Sequence, residues 1–198
     1  AVHGFERAAM TIGDTVVIQG AGPVGLASLA LARESGAAKI IVIGAPDHRL
    51  ELARKFGATE VISIEEISDV AARRERTLEY IGPHGADLVV EAVGHPSAVP
   101  EGFELCRDGG AYLVLGQYAN AGNVEINPHI ITRKQLRVLG SWAFEPRHVD
   151  FALNLLDRTN WKHLFASEVT HRFPLKQASE ALETVRQHRS GKAVITPN

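Results

Sequence analysis

The sequence predicts an α/β fold built on a doubly wound, six-stranded parallel sheet, and three observations predict it. Short apolar runs recur along the chain, helical patterns separate them, and glycines stand where each strand hands over to the next helix. The clearest unit runs from Val16-Val17-Ile18-Gln19 through Gly20-Ala21-Gly22-Pro23-Val24-Gly25 into Leu26, Leu29 and Ala30. It reads as a buried strand, a glycine turn and a helix. Gly20, Gly22 and Gly25 fit G-x-G-x-x-G, in which the first glycine permits the turn, the second lets backbone approach a pyrophosphate, and the third lets helix pack on strand. Pro23 suits the first helical position, where its missing N–H costs little.

The other elements follow in order. A helix-like piece within residues 1–11 begins without a cap and reads as a cut end. The helix from Pro23 stops at Gly36, a glycine of the type that closes helices. Residues 39–44 form a second strand, and residues 49–58 a helix with Leu50, Ala53 and Phe56 inward, closed by Gly57. Residues 60–63 are a third strand, and residues 70–81 a polar helix whose Arg73-Arg74-Glu75-Arg76 run reads as a solvated face. Residues 87–91 give the fourth strand, leading into Ala92-Val93-Gly94 at its carboxyl end. A helix to Leu105 and a Gly109-Gly110 turn bring in the fifth strand, 111–116, followed by a surface loop at 120–123 and a sixth strand at 136–140. Beyond Trp142 a helix spans 146–158 with Val149, Leu153 and Leu156 inward, then a loop surrounds Trp161. Val169-Thr170 is strand-like, residues 175–185 are an amphipathic helix, and residues 192–196 are a last short strand.

Composition limits the function classes. The 198 residues are 45% hydrophobic and 22% charged, which supports a real core and excludes wholesale disorder. A net charge of −2 with no basic block gives no nucleic-acid footprint. No apolar run reaches the ~18 residues of a membrane helix, no signal-peptide pattern opens the chain, and a cytoplasmic setting is the expectation. The single Cys106 rules out an internal disulfide and a cysteine-rich zinc site, and reads as a small buried residue at a helix end. Nine histidines, from His3 to His188, are scattered without H-E-x-x-H or cysteine partners, so no metal ligand is expected among them.

Taken together, the stretch from Gly13 to Leu26, Leu50-Glu51-Leu52-Ala53-Arg54-Lys55-Phe56-Gly57-Ala58, Glu91-Ala92-Val93-Gly94, His171-Arg172-Phe173-Pro174-Leu175 and Gly191-Lys192-Ala193-Val194-Ile195 resemble the zinc-containing, medium-chain alcohol dehydrogenase family over nearly the whole chain. The resemblance implies a Rossmann domain over residues 1–143, with 1–12 an entering helix, and a C-terminal segment, 144–198, belonging partly to the catalytic lobe. It implies that Gly20, Gly22, Pro23, Val24 and Gly25 hold the pyrophosphate of NAD or NADP, with Gly44, Ala45 and Arg49 beside the adenosine ribose. Val93 and the Leu115-Gly116-Gln117 edge would face the ribose and nicotinamide, and Ser141 and Trp142 would complete that wall. The substrate class implied is a small alcohol or carbonyl compound, and relatives pair the sixth-strand edge across a twofold axis.

Two departures matter. Gly44 stands where NAD-preferring members carry an acidic residue, which removes repulsion against a 2′-phosphate; His48 and Arg49 could attract one, but Asp47 adds negative charge and Ala45 and Pro46 supply no donor. NAD versus NADP stays open. The family's zinc ligands precede the glycine domain, so zinc is expected only in a longer parent protein and no catalytic residue is assigned here. The alternatives are a dinucleotide-binding module without chemistry and a zinc-independent quinone or enoyl reductase of the same superfamily.

Overall fold

The computed structural model describes residues 1–187 and 189–197, so His188 of the nine histidines lies outside the described residues. The chain divides into two compact units, Ala1–Phe151 and Ala152–Asn198.

In the first unit, α1 (Val2–Ala8) precedes a regular alternation: β1 (Thr15–Gln19), α2 (Pro23–Glu34), β2 (Lys39–Gly44), α3 (Asp47–Lys55), β3 (Glu60–Ser63), α4 (Val70–Ile81), β4 (Ala86–Glu91), α5 (Ala98–Leu105), β5 (Cys106–Val114), α6 (His129–Arg133) and β6 (Arg137–Gly140). The six strands form one parallel sheet in the order β3-β2-β1-β4-β5-β6. The strands are apolar along their length because both faces are covered: Val16, Val17 and Ile18 have no exposed surface, and Ile40 to Ile43 are buried. Leu26, Leu29, Leu50, Ala53 and Phe56 complete the core from the helices. Gly36 and Gly57 follow the last turns of α2 and α3 at positive φ, a conformation that costs glycine little. Asp69 caps α4 by accepting from the Ala72 N–H at 2.8 Å.

In the second unit, which begins within α7 (Pro146–Arg158), come α8 (Trp161–Glu168), β7 (Val169–Pro174), a 3₁₀ turn (Leu175–Gln177), α9 (Ala178–Arg186) and β8 (Lys192–Thr196). β7 and β8 pair in parallel, with Arg172 opposite Val194, and α9 makes the crossover that a parallel pair needs. Among the described residues, no helix is long and apolar enough to cross a membrane.

Five expectations are corrected. Gly109 and Gly110 lie inside β5, where a register shift leaves Asp87 opposite an expanded stretch of the neighbouring strand. Gly110 sits in close quarters there, where a Cβ would lie 3.0 Å from the Arg107 and 3.1 Å from the Ala86 carbonyl oxygen, and Gly109 takes φ +72°, which suits glycine. In addition, between the surface loop expected at 120–123 and the sixth strand, where no element was expected, the five residues of α6 form a helix too short to leave a periodic signal. Trp161 opens helix α8, and residues 175–177 are 3₁₀. Arg73 is buried and paired, not part of a solvated face. Along α7 the buried side chain is His148, while Val149 and Leu153 are exposed; their spacing reported a helix correctly but not what covers it.

Candidate functional site

The sheet's order reverses between β1 and β4, and open α/β sheets place ligands at the carboxyl ends of the strands beside such a switch point. The glycine turn lies there. The Gly20 N–H donates to the Ile43 carbonyl at 2.7 Å, at φ +107°, and a Cβ would sit 2.8 Å from the Ala92 carbonyl oxygen. A Cβ on Gly25 would come within 1.9 Å of the Gly20 carbonyl oxygen, so α2 can lie this close to β1 only through glycine. Gly22 differs: it caps α2 in extended conformation, and a Cβ there would meet nothing within 4 Å. Pro23 takes the first helical position, and Val24 is exposed beside it. The result is a helix N-terminus with unpaired N–H groups and positive dipole facing open space, suited to an anionic diphosphate.

The flanks come from neighbouring strand ends. Gly44 closes β2 against the turn, where a Cβ would lie 3.0 Å from the Ala21 nitrogen. Ala45 follows it, and Arg49 sits partly buried in the first turns of α3, near Asp47, whose carboxylate accepts from the Ser63 hydroxyl at 3.4 Å. On the other side, Glu91 is fully buried at the end of β4 and its Oε1 accepts from the N–H groups of Val93 at 2.7 Å and Gly94 at 2.6 Å. The Leu115 and Gly116 N–H groups donate to the Glu91 carbonyl at 2.9 Å. Gly94 and Gly116 are packed backbone to backbone, because a Cβ on Gly116 would lie 2.4 Å from the Gly94 nitrogen. Glu91 therefore ties the loops after β4 and β5 together. Glu91 opens the family-like segment Glu91-Ala92-Val93-Gly94 but carried no expected role, although an acidic residue ending the apolar run Leu88-Val89-Val90 was the available signal.

Val93 is half exposed at this edge. Beyond it, a cleft of about 430 Å³ is lined by residues including Leu115, Gln117, Tyr118, Ser141 and Trp142. Tyr118 and Trp142 stack at 4.5 Å, and the buried Gln117 Nε2 has no hydrogen-bond partner. A buried unmet amide donor carries a cost that a small turn of this side chain toward a ligand carbonyl or hydroxyl in the cleft would remove. Below the loops, the Tyr112 hydroxyl donates to the Gln19 side-chain oxygen at 3.2 Å; burial, reinforced by the Glu91 charge, pushes the phenol up and keeps it a neutral donor. The expected glycine, β2-end, Val93 and 115–117 positions thus gather at one sheet edge, with Ser141 and Trp142 following β6 there. Among the described residues, no group of three or more His, Cys, Asp or Glu side chains is placed to hold a metal ion, so the residues present do not fit a zinc site.

A strand order of 3-2-1-4-5-6 with a glycine turn at the switch point defines a Rossmann-type, doubly wound α/β domain. Residues 23–158 match the family described as zinc-binding dehydrogenase. The chain belongs to this family, the zinc-containing medium-chain alcohol dehydrogenases. It is 39% identical over 195 residues to 5-exo-hydroxycamphor dehydrogenase of Pseudomonas putida, covering 98% of this chain and 54% of that protein. It is similar to the crystal structure of an alcohol dehydrogenase from Thermotoga maritima, with a TM-score of 0.92, 34% identity, and coverage of 100% of this chain and 54% of that one. A Sinorhizobium meliloti structure described as a zinc-binding dehydrogenase bound to NADP aligns with a TM-score of 0.78 and 29% identity, over 91% of this chain and 52% of that one. The chain spans about half the length of the relatives it matches.

Proposed function

We propose that this chain is the cofactor-binding portion of a zinc-dependent alcohol dehydrogenase that moves hydride between a small alcohol or carbonyl compound and NAD or NADP. The observation that carries the reading is the contrast within the glycine turn: Gly20 and Gly25 are closed by backbone, whereas Gly22 opens onto free space at the start of α2. The N–H groups opening α2 receive the diphosphate, with Pro23 and Val24 forming the turn around it. Gly44, Ala45 and Arg49 flank the adenosine ribose. Val93, Leu115, Gly116 and Gln117 border the nicotinamide ribose, the Gln117 amide supplying an unmet donor, and Ser141 and Trp142 close the far wall. The bound dinucleotide supplies hydride exchange at its nicotinamide ring, and the residues named here hold and orient it. No step is assigned to zinc on this chain's residues.

Gly44 leaves the end of β2 without a carboxylate, so a 2′-phosphate meets no repulsion there, while Asp47 adds negative charge one turn away. Titration with NADH and NADPH, measured by calorimetry on the 198-residue chain, tests the cradle and its preference together. Saturable heat with either cofactor, abolished by Gly22→Val, supports the reading; identical heat from Gly22→Val sinks it. A preference for NADPH that fades with added salt would assign the 2′-phosphate to a cationic contact such as Arg49.

We also read residues 144–198 as partly belonging to the catalytic lobe, and β6 as an edge that pairs with a second copy. β6 is an edge strand with Val138 exposed, and an unpaired edge is a template for another chain. Light scattering at micromolar concentration checks this, a monomer counting against it.

A further inference from the structure

At the opposite edge of the sheet, beside the amino ends of β4, β5 and β6, lies a second cleft of about 420 Å³. Its walls bring together Arg74 of α4, Arg107 of β5, and Arg133 and Lys134 at the end of α6, against two carboxylates, Glu104 and Asp108. Arg107 is already engaged, its Nε donating to Asp87 at 2.5 Å. Arg74 and Lys134 share a single carboxylate, each standing 3.9 Å from the Glu104 Oε2. Arg133 is exposed and has no ion pair or hydrogen bond from its side chain among the described residues. The Arg74 Nε is buried with no hydrogen-bond partner. That nitrogen is closed off from the cleft, so what Arg74 offers a ligand is its half-exposed guanidinium end, in a wall with more cations than anions.

Lys134 sharpens the point. Its ammonium is held inside, donating to the carbonyls of Phe103 at 3.1 Å, Glu104 at 2.8 Å and Cys106 at 2.8 Å, so its donors are spent while its charge remains. Burial pushes its pKa down, Glu104 opposes that shift, and the charges of Arg133 and Arg74 push further down. A bound anion would relieve this crowding. The cleft's volume falls within the range of small-molecule sites, and guanidinium groups form paired hydrogen bonds to tetrahedral oxyanions.

We propose that this cleft binds a phosphate dianion, as inorganic phosphate or as the head of a small phosphate monoester, through Arg74 and Arg133 with Lys134 supplying charge from below. The site goes beyond the dinucleotide reading and is separate from it. The cradle lies at the carboxyl ends of the strands, and six residues of β4 span roughly 20 Å between the two edges.

The test titrates the 198-residue chain with inorganic phosphate and, separately, with glycerol phosphate, at ionic strength held constant with sodium chloride. Saturable binding with a Kd of about 1 mM or tighter is expected. Arg133→Gln and Arg74→Gln are each expected to weaken it about tenfold through loss of a charge-assisted contact. Both variants should keep the parent's affinity for NADH or NADPH, and Gly22→Val should keep phosphate binding. Because Arg74 also helps hold α4 near Glu104, the exposed Arg133→Gln carries the test alone if Arg74→Gln does not fold. Non-saturating heat, or affinity untouched by Arg133→Gln, means an adventitious ion only and overturns the proposal. Loss of phosphate binding in Gly22→Val but not in Arg133→Gln would move the phosphate to the glycine turn, which also overturns it. A preference for glycerol phosphate over inorganic phosphate would identify the monoester as the ligand.

Discussion

Arg73 and Glu101 join α4 to α5 through two parallel hydrogen bonds, Nε to Oε1 at 2.7 Å and Nη2 to Oε2 at 3.0 Å, with side chains only 8% and 7% exposed. The Arg73 Nη1 donates onward to the Ile67 and Ser68 carbonyls at 2.8 and 3.1 Å. The guanidinium is thus out of water with four of its five N–H donors met, and the pair holds the two helices in register.

Removing one partner should be far worse than removing both. Glu101→Ala leaves a buried cation uncompensated and is expected to cost about 3–5 kcal/mol. Arg73→Met with Glu101→Leu replaces the pair by apolar bulk and should lose much less. Urea denaturation of the three proteins decides the matter. A Glu101→Ala loss below roughly 1 kcal/mol would mean that the pair is solvated and contributes little.

The glycine turn separates folding from binding. Gly22 lies in a conformation open to any residue, with free space where a Cβ would point, so Gly22→Val should fold with nearly unchanged stability and bind dinucleotide more than tenfold more weakly. Gly25→Ala instead drives a methyl into the Gly20 carbonyl oxygen, 1.9 Å away. It should destabilise the chain by several kcal/mol, on the order of other overpacked sites. Thermal melts beside calorimetric titrations check both halves; a stable, binding-competent Gly25→Ala would show that α2 shifts freely off β1.

Glu91 should behave as a positioning residue for the proposed nicotinamide side. Its Oε1 holds the Val93 and Gly94 N–H groups and its Oε2 is buried without a hydrogen-bond partner. Glu91→Ala strands two N–H donors and is expected to cost about 2–3 kcal/mol, and NADH affinity should fall at least tenfold as the loop loosens. Glu91→Gln keeps one acceptor oxygen and should recover most of the binding. The split between the two variants is the readout, since a purely space-filling role would make them equally harmful.

Much of this was legible because its physics is local. The ends of β3, α4, α7 and β8 fall at the residues where pattern and breakers put them. Gly20 and Gly25 obey steric demands set within one turn, so their spacing carries the message. The sequence reading failed where tertiary contacts decide. Nothing local distinguishes Arg73 from Arg74 or Arg76 in one charged run, yet only Arg73 faces Glu101. Gly109 and Gly110 resemble a turn because glycine serves a positive φ or a close approach at a strand irregularity as readily as chain reversal. The tie made by Glu91 depends on a loop folding back over the strand that ends in it, which no periodicity encodes.

The pairing of Glu6 with α7 gives the acid side of the stability profile a particular shape. Its Oε1 accepts from Arg147 Nη1 at 2.7 Å and its Oε2 from His148 Nε2 at 2.9 Å; the His148 Nδ1 accepts from the Glu145 N–H, leaving the proton on Nε2. The Arg147 hydrogen bond, then that of His148, lowers the Glu6 carboxyl from an ordinary value of 4.5 to about 2. A carboxylate depressed in the folded state binds its proton more readily when unfolded, so its contribution is fully present above about pH 5 and disappears as pH falls from there toward 2. Glu145 is lowered by the same arginine and adds to the slope in that direction. Both carboxylates face solvent, so salt should shrink the effect. Denaturation midpoints measured across pH 2–6 should fall more steeply for the parent than for Glu6→Gln, which has no proton to gain there. Parallel curves at low salt would show that the α1–α7 ion pair is not formed in solution.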